Sequence, residues 1–250
     1  MLGDRVVVDV AQRAGRFCDR GRALVAITSV RLNKPTSLLF DAGARVYAWL
    51  TAQNAWRNDC RNLVVDLDPA PKTIVDLGCG PGVSTFEIAR LRPKDRVIGL
   101  DFAGGMLEEA RRRERASGLP AGRIAWLCAD AGHLPFADGS VDVLTGHSFL
   151  YLQPDRHRAL HECMRVLMPG GRLVLMEPNG DASFLQAFGA GRDPRYLASV
   201  LLWRPVSRLY GRFTARTLAD TLSAAGFAVP QVNETLAGLG LLAQALRPRA

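Results

Sequence analysis

The residues best suited to chemistry stand in one short run, Val75-Asp-Leu-Gly-Cys-Gly-Pro-Gly82. An apolar strand over Thr73–Leu77 enters this run, and a helix from Val83 to Leu91 leaves it. Glycine lets the backbone turn tightly and lets a ligand approach where a Cβ would stand in the way. Glycine turns occur in nucleotide folds of several kinds, and two details narrow this one. The spacing is Gly78-x-Gly80-x-Gly82, not the GxGxxG of the dinucleotide fingerprint. Asp76 also lies two residues before the first glycine, where it opposes a pyrophosphate and favours a cationic ligand or a ligand ammonium group.

Two more acids follow the same logic. Asp101 ends a second strand, Arg96–Leu100, where a carboxylate can accept hydrogen bonds from both hydroxyls of a ribose. Phe102 follows it and can pack on an adenine face. Asp130, with Ala131 beside it, ends a third strand over Ile124–Cys128, and its carboxylate can accept from an exocyclic amine. A single aspartate of this kind is as often a cap or loop residue. Three at the carboxyl ends of consecutive strands coincide with the place where open α/β sheets bind ligands.

The elements that must position these residues alternate. An amphipathic helix runs from Met106 to Ala116, a fourth strand over Val141–Thr145, and a helix from Arg156 to Leu167 that Pro169-Gly-Gly171 stops. A fifth strand covers Leu173–Met176. Strand–helix alternation with short connections predicts right-handed βαβ units, hence a parallel sheet with helices on both faces. Residues 179–212 are aromatic and basic and read as a lid-like insertion. Thr214 then caps a helix to Ala225, followed by strands over Ala228–Glu234 and Leu239–Leu246. Residues 1–65 read as a helical N-terminal cap with a break near Asn33-Lys-Pro35, leaving 66–250 as the ligand-binding domain.

Composition limits the classes. The chain has 250 residues, 48% hydrophobic and 22% charged, which excludes collagen-like, coiled-coil and wholly disordered proteins. Asp4, Arg5 and Asp9 interrupt the first apolar run, so it makes a poor secretory signal, and no apolar stretch approaches the roughly 18 residues of a membrane span. A cytoplasmic location is expected. Five scattered cysteines with no CxxC pair argue against a disulfide framework and a structural zinc site, so no metal is expected. The net charge of +8 is uneven: +5 over residues 1–62, −1 over 63–179 and +4 over 180–250. Basic flanks attract an anionic substrate, a lipid surface or nucleic acid. An arginine-rich, lysine-poor composition gives the same charge without any such role.

The chain resembles the class I S-adenosylmethionine-dependent methyltransferases, in particular the group that includes the ubiquinone/menaquinone C-methyltransferases and many small-molecule enzymes. The resemblance spans about residues 70–178. It rests on VDLGCGPG (75–82), VIGLDFAGGML (97–107), ADAGHLPFADGSVDVL (129–144) and HECMRVLMPGGRLVLMEP (161–178). It implies a Rossmann-like, mostly parallel seven-stranded sheet whose last strand is antiparallel, with S-adenosylmethionine over the turn Gly78-Cys79-Gly80-Pro81-Gly82. On that resemblance Asp76 and Gly78 face the methionine part and Asp101 holds the ribose. Phe102 and Met106 flank the adenine, and Asp130 with Ala131 reads its amino group. The chain departs from the quinone enzymes after strand four, where it reads Gly146-His-Ser-Phe149 instead of Gly-Leu-Arg-Asn.

The resulting expectation is methyl transfer to a small molecule of apolar or aromatic character. His147 is the candidate base or cofactor contact, because an imidazole with an ordinary pKa of about 6.5 accepts protons near neutrality. Tyr151 is the second catalytic candidate. Two alternatives stand beside this reading: a phospholipid N-methyltransferase at a membrane surface, and a nicotinamide-dependent dehydrogenase. A peripheral membrane contact through 193–212 would turn Trp203 and Tyr210 toward the lipid and Arg204, Arg208 and Arg212 away. A nucleic-acid substrate is not expected, since no Asn/Asp-Pro-Pro-Tyr/Phe segment follows strand four. The acceptor atom and the oligomeric state are left open.

Overall fold

The computed structural model describes Arg45, Ala48, Trp49, Gln186 and residues 53–70, 72–183 and 194–249. Most of the expected N-terminal cap, including the break near Pro35, lies outside the described residues. Within its last part, α1 (Asn54–Cys60) buries Trp56 and Cys60.

Seven strands form one sheet in the order β3-β2-β1-β4-β5-β7-β6. They are β1 (Thr73–Leu77), β2 (Arg96–Asp101), β3 (Ile124–Cys128), β4 (Val141–His147), β5 (Leu167–Pro178), β6 (Ala228–Thr235) and β7 (Gly240–Leu246). The first five pair in parallel, and β7 runs antiparallel to both β5 and β6. The other α-helices are α2 (Val83–Leu91), α3 (Gly104–Arg115), α4 (Arg156–Val166), α5 (Pro194–Tyr210) and α6 (Ala215–Ala224), and short 3-10 turns lie at Arg61–Leu63, Leu150–Leu152 and Leu236–Gly238. The chain thus has the expected mostly parallel sheet, with the last strand reversed.

Strand residues alternate between two apolar clusters. Val75, Leu77, Ile98, Leu100 and Leu144 pack with α4 and α6 residues such as Leu160 and Leu222. Ile74, Val97, Ile124 and Val143 pack on the other face with Trp56 of α1, Ile88 of α2, and Tyr196 and Val200 of α5. Side chains in a strand point to opposite faces with a period of two. Asp76, Asp101 and His147 therefore share the α1–α2 face with Ile74, Val97 and Val143.

Two boundaries differ from the sequence reading. Helix α3 begins at Gly104, two residues before Met106, because Ala103 already has extended cap geometry and the helix tolerates two glycines in its first turn. Strand β5 starts at Leu167 rather than Leu173. Its pairing jumps from Val141↔Leu167 to Val143↔Arg172, so Met168-Pro169-Gly170-Gly171 forms a bulge instead of ending the element. Thr214 caps α6 as expected, accepting from Thr217 N while the Thr217 hydroxyl reaches back to the Thr214 N–H.

The expected lid segment contains α5, a 17-residue helix carrying Pro205 in its interior. Arg204 does not point outward. It is buried, and its guanidinium donates to the Asn179 carbonyl at 3.1 Å and the Ala182 carbonyl at 2.5 Å. Trp203 packs against the α1-side cluster rather than facing away from the protein. The large apolar residues α5 exposes are Leu201, Leu202, Leu209 and Tyr210, and Arg208 is exposed with them. Helical spacing explains this: a buried stripe through Tyr196, Val200 and Ser207 turns the leucines to the opposite side.

Candidate active site

The glycine turn joins β1 to α2. Gly78, Gly80 and Gly82 have φ of +63°, +51° and +85°. At Gly82 an added Cβ would come within 2.9 Å of the Trp126 ring, so glycine is required both by its backbone and by its neighbour. Gly80 differs, because a Cβ there would meet nothing within 4 Å. A Cβ on Gly78 would likewise come within 3.0 Å of the Phe149 ring, so the turn is packed at both ends and open over its middle. Arg113 of α3 steadies it from outside by donating to the Pro81 carbonyl at 3.0 Å.

Asp76 is fully buried, and hydroxyls occupy its carboxylate. Oδ2 accepts from Ser84 at 2.7 Å and Thr85 at 2.6 Å, and Oδ1 accepts from Thr145 at 2.9 Å. Burial raises its pKa, and the three hydroxyls oppose that shift. Asp76 thus clamps the first turn of α2 to β1 and β4, acting from below the turn. Ser84 and Thr85 were readable in the sequence as hydroxyls in the first helical turn. Thr145 was not, because only the β1–β4 register places it opposite Asp76.

Asp101 ends β2, which adjoins β1. Its Oδ2 accepts the Gly80 N–H at 2.8 Å and its Oδ1 the Ala103 N–H at 2.9 Å. Burial pushes its pKa up to about 6, against these hydrogen bonds, and the Asp76 charge adds to the rise. Phe102 and Met106 pack with Ala103 in a small apolar cluster separate from the main cores. Cys128 lies beside them, its Sγ donating to the Phe102 carbonyl at 3.6 Å. Asp130 lies two residues beyond the end of β3 and accepts from Gly132 N at 2.8 Å, with His133 Nδ1 at 3.2 Å from its other oxygen. Ala131 is buried next to it. Because β3, β2 and β1 are adjacent, the structure brings the three expected acids to one edge. Cys79 is buried within the turn. Burial, with the charges of Asp101 and Asp76, raises its thiol well above the ordinary value, so it stays protonated.

His147 ends β4 on the same face. Burial pushes its pKa down to about 4, so the imidazole is neutral near pH 7, contrary to the expectation of titration near 6.5. Its Nε2 is closed off from solvent and has no hydrogen-bond partner. Tyr151 is not brought to it. That side chain is 3% exposed and belongs to the cluster on the α4–α6 face.

Glu177, near the end of β5, escaped the sequence reading. Its fully buried carboxylate accepts three consecutive backbone N–H groups, from Phe149 at 3.1 Å, Leu150 at 2.7 Å and Tyr151 at 3.1 Å. It fixes the short turn that follows Ser148, whose φ is +54°. The chance to see it lay in the acid of Leu-Met-Glu-Pro, which is unusual inside a buried parallel strand.

The chemistry of this edge fits a nucleoside. An open glycine turn, a carboxylate with lone pairs left beside the Gly80 and Ala103 N–H groups, and a separate apolar pair at Phe102 and Met106 are the kinds of group that can meet a sugar and a base. A family model described as a methyltransferase domain matches residues 74–171. This segment is a domain of the S-adenosylmethionine-dependent methyltransferases. The family resemblance read from the sequence holds for the methyltransferase domain, and the dehydrogenase alternative is not favoured.

Relatives and folds agree. A demethylmenaquinone methyltransferase of Thermus thermophilus is 42% identical over 122 residues, covering 49% of this chain and 53% of the relative. An uncharacterized 37.1 kDa protein in transposon TN4556 of Streptomyces fradiae is 38% identical over 168 residues, covering 66% of this chain and 46% of that protein. The chain thus spans about half the length of these relatives. In fold, it resembles a phosphoethanolamine N-methyltransferase of Haemonchus contortus in complex with phosphomonomethylethanolamine and S-adenosylhomocysteine. The TM-score is 0.64 and the identity 16%, over 89% of this chain and 61% of that one. A SAM-dependent methyltransferase from Aquifex aeolicus has a TM-score of 0.59 and 16% identity, over 86% of this chain and 99% of that one. Among the described residues, no helix is long and apolar enough to cross a membrane, and no cluster of three or more His, Cys, Asp or Glu could hold a metal ion.

Proposed function

We propose that the whole chain is an S-adenosylmethionine-dependent methyltransferase acting on a small molecule of apolar or aromatic character. The observation that carries this is the pairing of the open turn at Gly80 with the Asp101 carboxylate beside it. Relatives that methylate demethylmenaquinone support an apolar acceptor.

When bound, the sulfonium supplies an activated methyl group and a neutral thioether leaving group. The protein's own part is orientation, which can be worth roughly 7–11 kcal/mol. Asp101 holds the ribose hydroxyls, and Phe102 and Met106 flank the adenine. Asp130 and Ala131 read the adenine amino group, and the backbone at Gly78 and Gly80 faces the methionine part. Asp76 holds the turn in shape through Ser84, Thr85 and Thr145. His147, neutral at pH 7, ends β4 on the same sheet face and offers a hydrogen bond there. An acceptor proton therefore does not depend on an imidazole poised near neutrality.

The decisive experiment is titration calorimetry with S-adenosylhomocysteine, followed by a methylation screen of small-molecule acceptors. Saturable micromolar binding and release of S-adenosylhomocysteine on turnover are expected. Absence of nucleoside binding overturns the reading.

A peripheral contact with an anionic membrane surface is supported by the outer face of α5. Leu201 and Leu202 are each 54% exposed and Leu209 is 84% exposed. The helix carries Arg195 and Arg208 and no acid. Flotation with liposomes rich in phosphatidylglycerol is expected to carry the protein upward at low salt. A protein that stays in the dense fraction ends this reading.

A further inference from the structure

Four aromatic rings from distant parts of the chain meet in and beside the apolar cluster on the sheet face that carries Asp76, Asp101 and His147. Trp56 of α1 lies 5.6 Å from the His147 ring, 6.0 Å from Tyr196 and 5.5 Å from Trp203, centroid to centroid. The Trp56 indole is satisfied: Nε1 donates to the Ser199 hydroxyl at 2.9 Å, and Ser199 donates to the Tyr196 carbonyl at 2.7 Å. The other three rings are not. His147 Nε2, Tyr196 Oη and Trp203 Nε1 are all buried and have no hydrogen-bond partner among the described residues. Buried polar groups in folded proteins are almost always paired, and each exception calls for a missing group. Three exceptions on the rings around a single tryptophan call for one missing group with several polar positions.

We propose that these rings form the acceptor subsite and that it takes a neutral, flat, ring-bearing molecule with a hydroxyl or carbonyl oxygen, its polar edge read by Tyr196, Trp203 and His147. This rests on the methyltransferase reading, since His147 shares the sheet face of Asp76 and Asp101 at the carboxyl end of β4. The chemistry of the three atoms sets the class. The Trp203 indole only donates, so the group opposite must carry lone pairs. The tyrosine hydroxyl donates and accepts, and a neutral imidazole does either according to its tautomer. The groups that would face the molecule, the Tyr196 hydroxyl, the Trp203 N–H and a neutral imidazole, carry no charge, and burying an ion against uncharged groups is costly. The apolar remainder of the rings offers a stacking wall for a planar body.

The test uses the full chain saturated with S-adenosylhomocysteine and follows tryptophan fluorescence. The probes are 2-naphthol, naphthalene, 2-naphthoate and 2-naphthylmethylammonium. Saturable quenching by 2-naphthol is expected, with weaker binding by naphthalene and by both ions. Tyr196→Phe keeps its ring and removes only the hydroxyl, and Trp203→Phe removes the indole N–H together with the five-membered ring. Each is expected to weaken 2-naphthol binding roughly threefold to tenfold, the range of a single hydrogen bond. Both variants should leave S-adenosylhomocysteine affinity unchanged, and Tyr196→Phe should leave thermal stability equal or higher, because an unpaired buried group is gone, whereas Trp203→Phe loses packing. Equal or tighter binding of either ion, no saturable 2-naphthol signal, or phenylalanine variants that bind 2-naphthol as wild type does, overturns the proposal. Failure of S-adenosylhomocysteine itself to bind sinks the methyltransferase reading instead, so the two failures are distinct.

Discussion

Asp101 Oδ2 accepts the Gly80 N–H at 2.8 Å, so the carboxylate assigned to the ribose also braces the turn that lies beneath the ligand. Sugar binding and turn geometry are thereby coupled through one side chain. Removing it should cost the contacts to two hydroxyls and loosen the turn. Asp101→Ala is expected to weaken S-adenosylhomocysteine binding by roughly a hundredfold, given about 1.5–3 kcal/mol for a hydrogen bond to a charged group. The sheet should remain folded by circular dichroism. Near-wild-type affinity by calorimetry would refute the ribose role. The pH dependence follows from the carboxyl's rise to about 6. Only the ionised form accepts from both hydroxyls, so affinity should fall as pH drops through about 6. Stability runs the other way. The folded state binds the proton more tightly than the unfolded chain, so this group's contribution is greatest at low pH and declines as pH rises from about 4 to about 6.

Asp76 separates a charge role from a structural one. Its oxygens are taken by Ser84, Thr85 and Thr145, which argues that it shapes the turn rather than meeting the sulfonium directly. Asp76→Asn can still accept from two hydroxyls and donate to the third. That variant should fold, and the ratio of S-adenosylmethionine to S-adenosylhomocysteine affinity should change by less than about threefold, because the carboxylate is taken by hydroxyls and does not meet the sulfonium. Asp76→Ala leaves three buried hydroxyls unpaired and should lose about 3 kcal/mol or more in urea unfolding. A large loss of preference for the charged nucleoside in the asparagine variant would restore the direct electrostatic role.

The cofactor edge was legible in the sequence because its parts are local. The glycine spacing, Asp101 after β2 and Asp130 after β3 are each set by one strand end, and parallel connectivity alone aligns them. What escaped depends on pairs far apart in the chain. Thr145 meets Asp76 only through strand register, Glu177 reaches the 149–151 turn from the neighbouring strand, and Trp56 meets Tyr196 and Trp203 across more than half the sequence. Side-chain direction on α5 was misjudged because its outward face carries leucines while Arg204 is buried on backbone carbonyls. Hydropathy alone points the other way. The environment of His147 was invisible for the same reason: an imidazole's burial is a property of the residues packed on it.

His147 gives a pH prediction opposite to the usual one for a histidine base. With its pKa near 4, it is neutral over the whole working range. The profile of kcat/KM should show no limb near pH 6.5 that disappears in His147→Gln. That variant should keep S-adenosylhomocysteine affinity within about threefold and lower turnover through lost positioning, since one hydrogen bond is worth about 1 kcal/mol. A limb at pH 6–7 in the wild type that the substitution abolishes would show that the imidazole titrates there and acts as a base.

Glu177 provides the last test, and it concerns the loop rather than the ligand. Its carboxylate collects the N–H groups of Phe149, Leu150 and Tyr151, directly after the strand that ends in His147. Burial raises its pKa to about 7, although the three hydrogen bonds favour the ion. The folded state therefore holds this proton between about pH 4.5 and pH 7 while the unfolded chain releases it. Stability from this group is fully present below about 4.5 and declines as pH rises toward 7. Glu177→Gln keeps one acceptor oxygen for the turn but cannot ionise. Its urea midpoint should be less sensitive to pH across that window than the wild-type midpoint. Glu177→Ala strands three buried N–H groups and should cost several kcal/mol, on the scale of about 1–3 kcal/mol for each unpaired group. If the glutamine variant shows the wild-type pH slope, the carboxyl does not titrate in that window and holds the turn as a permanent ion.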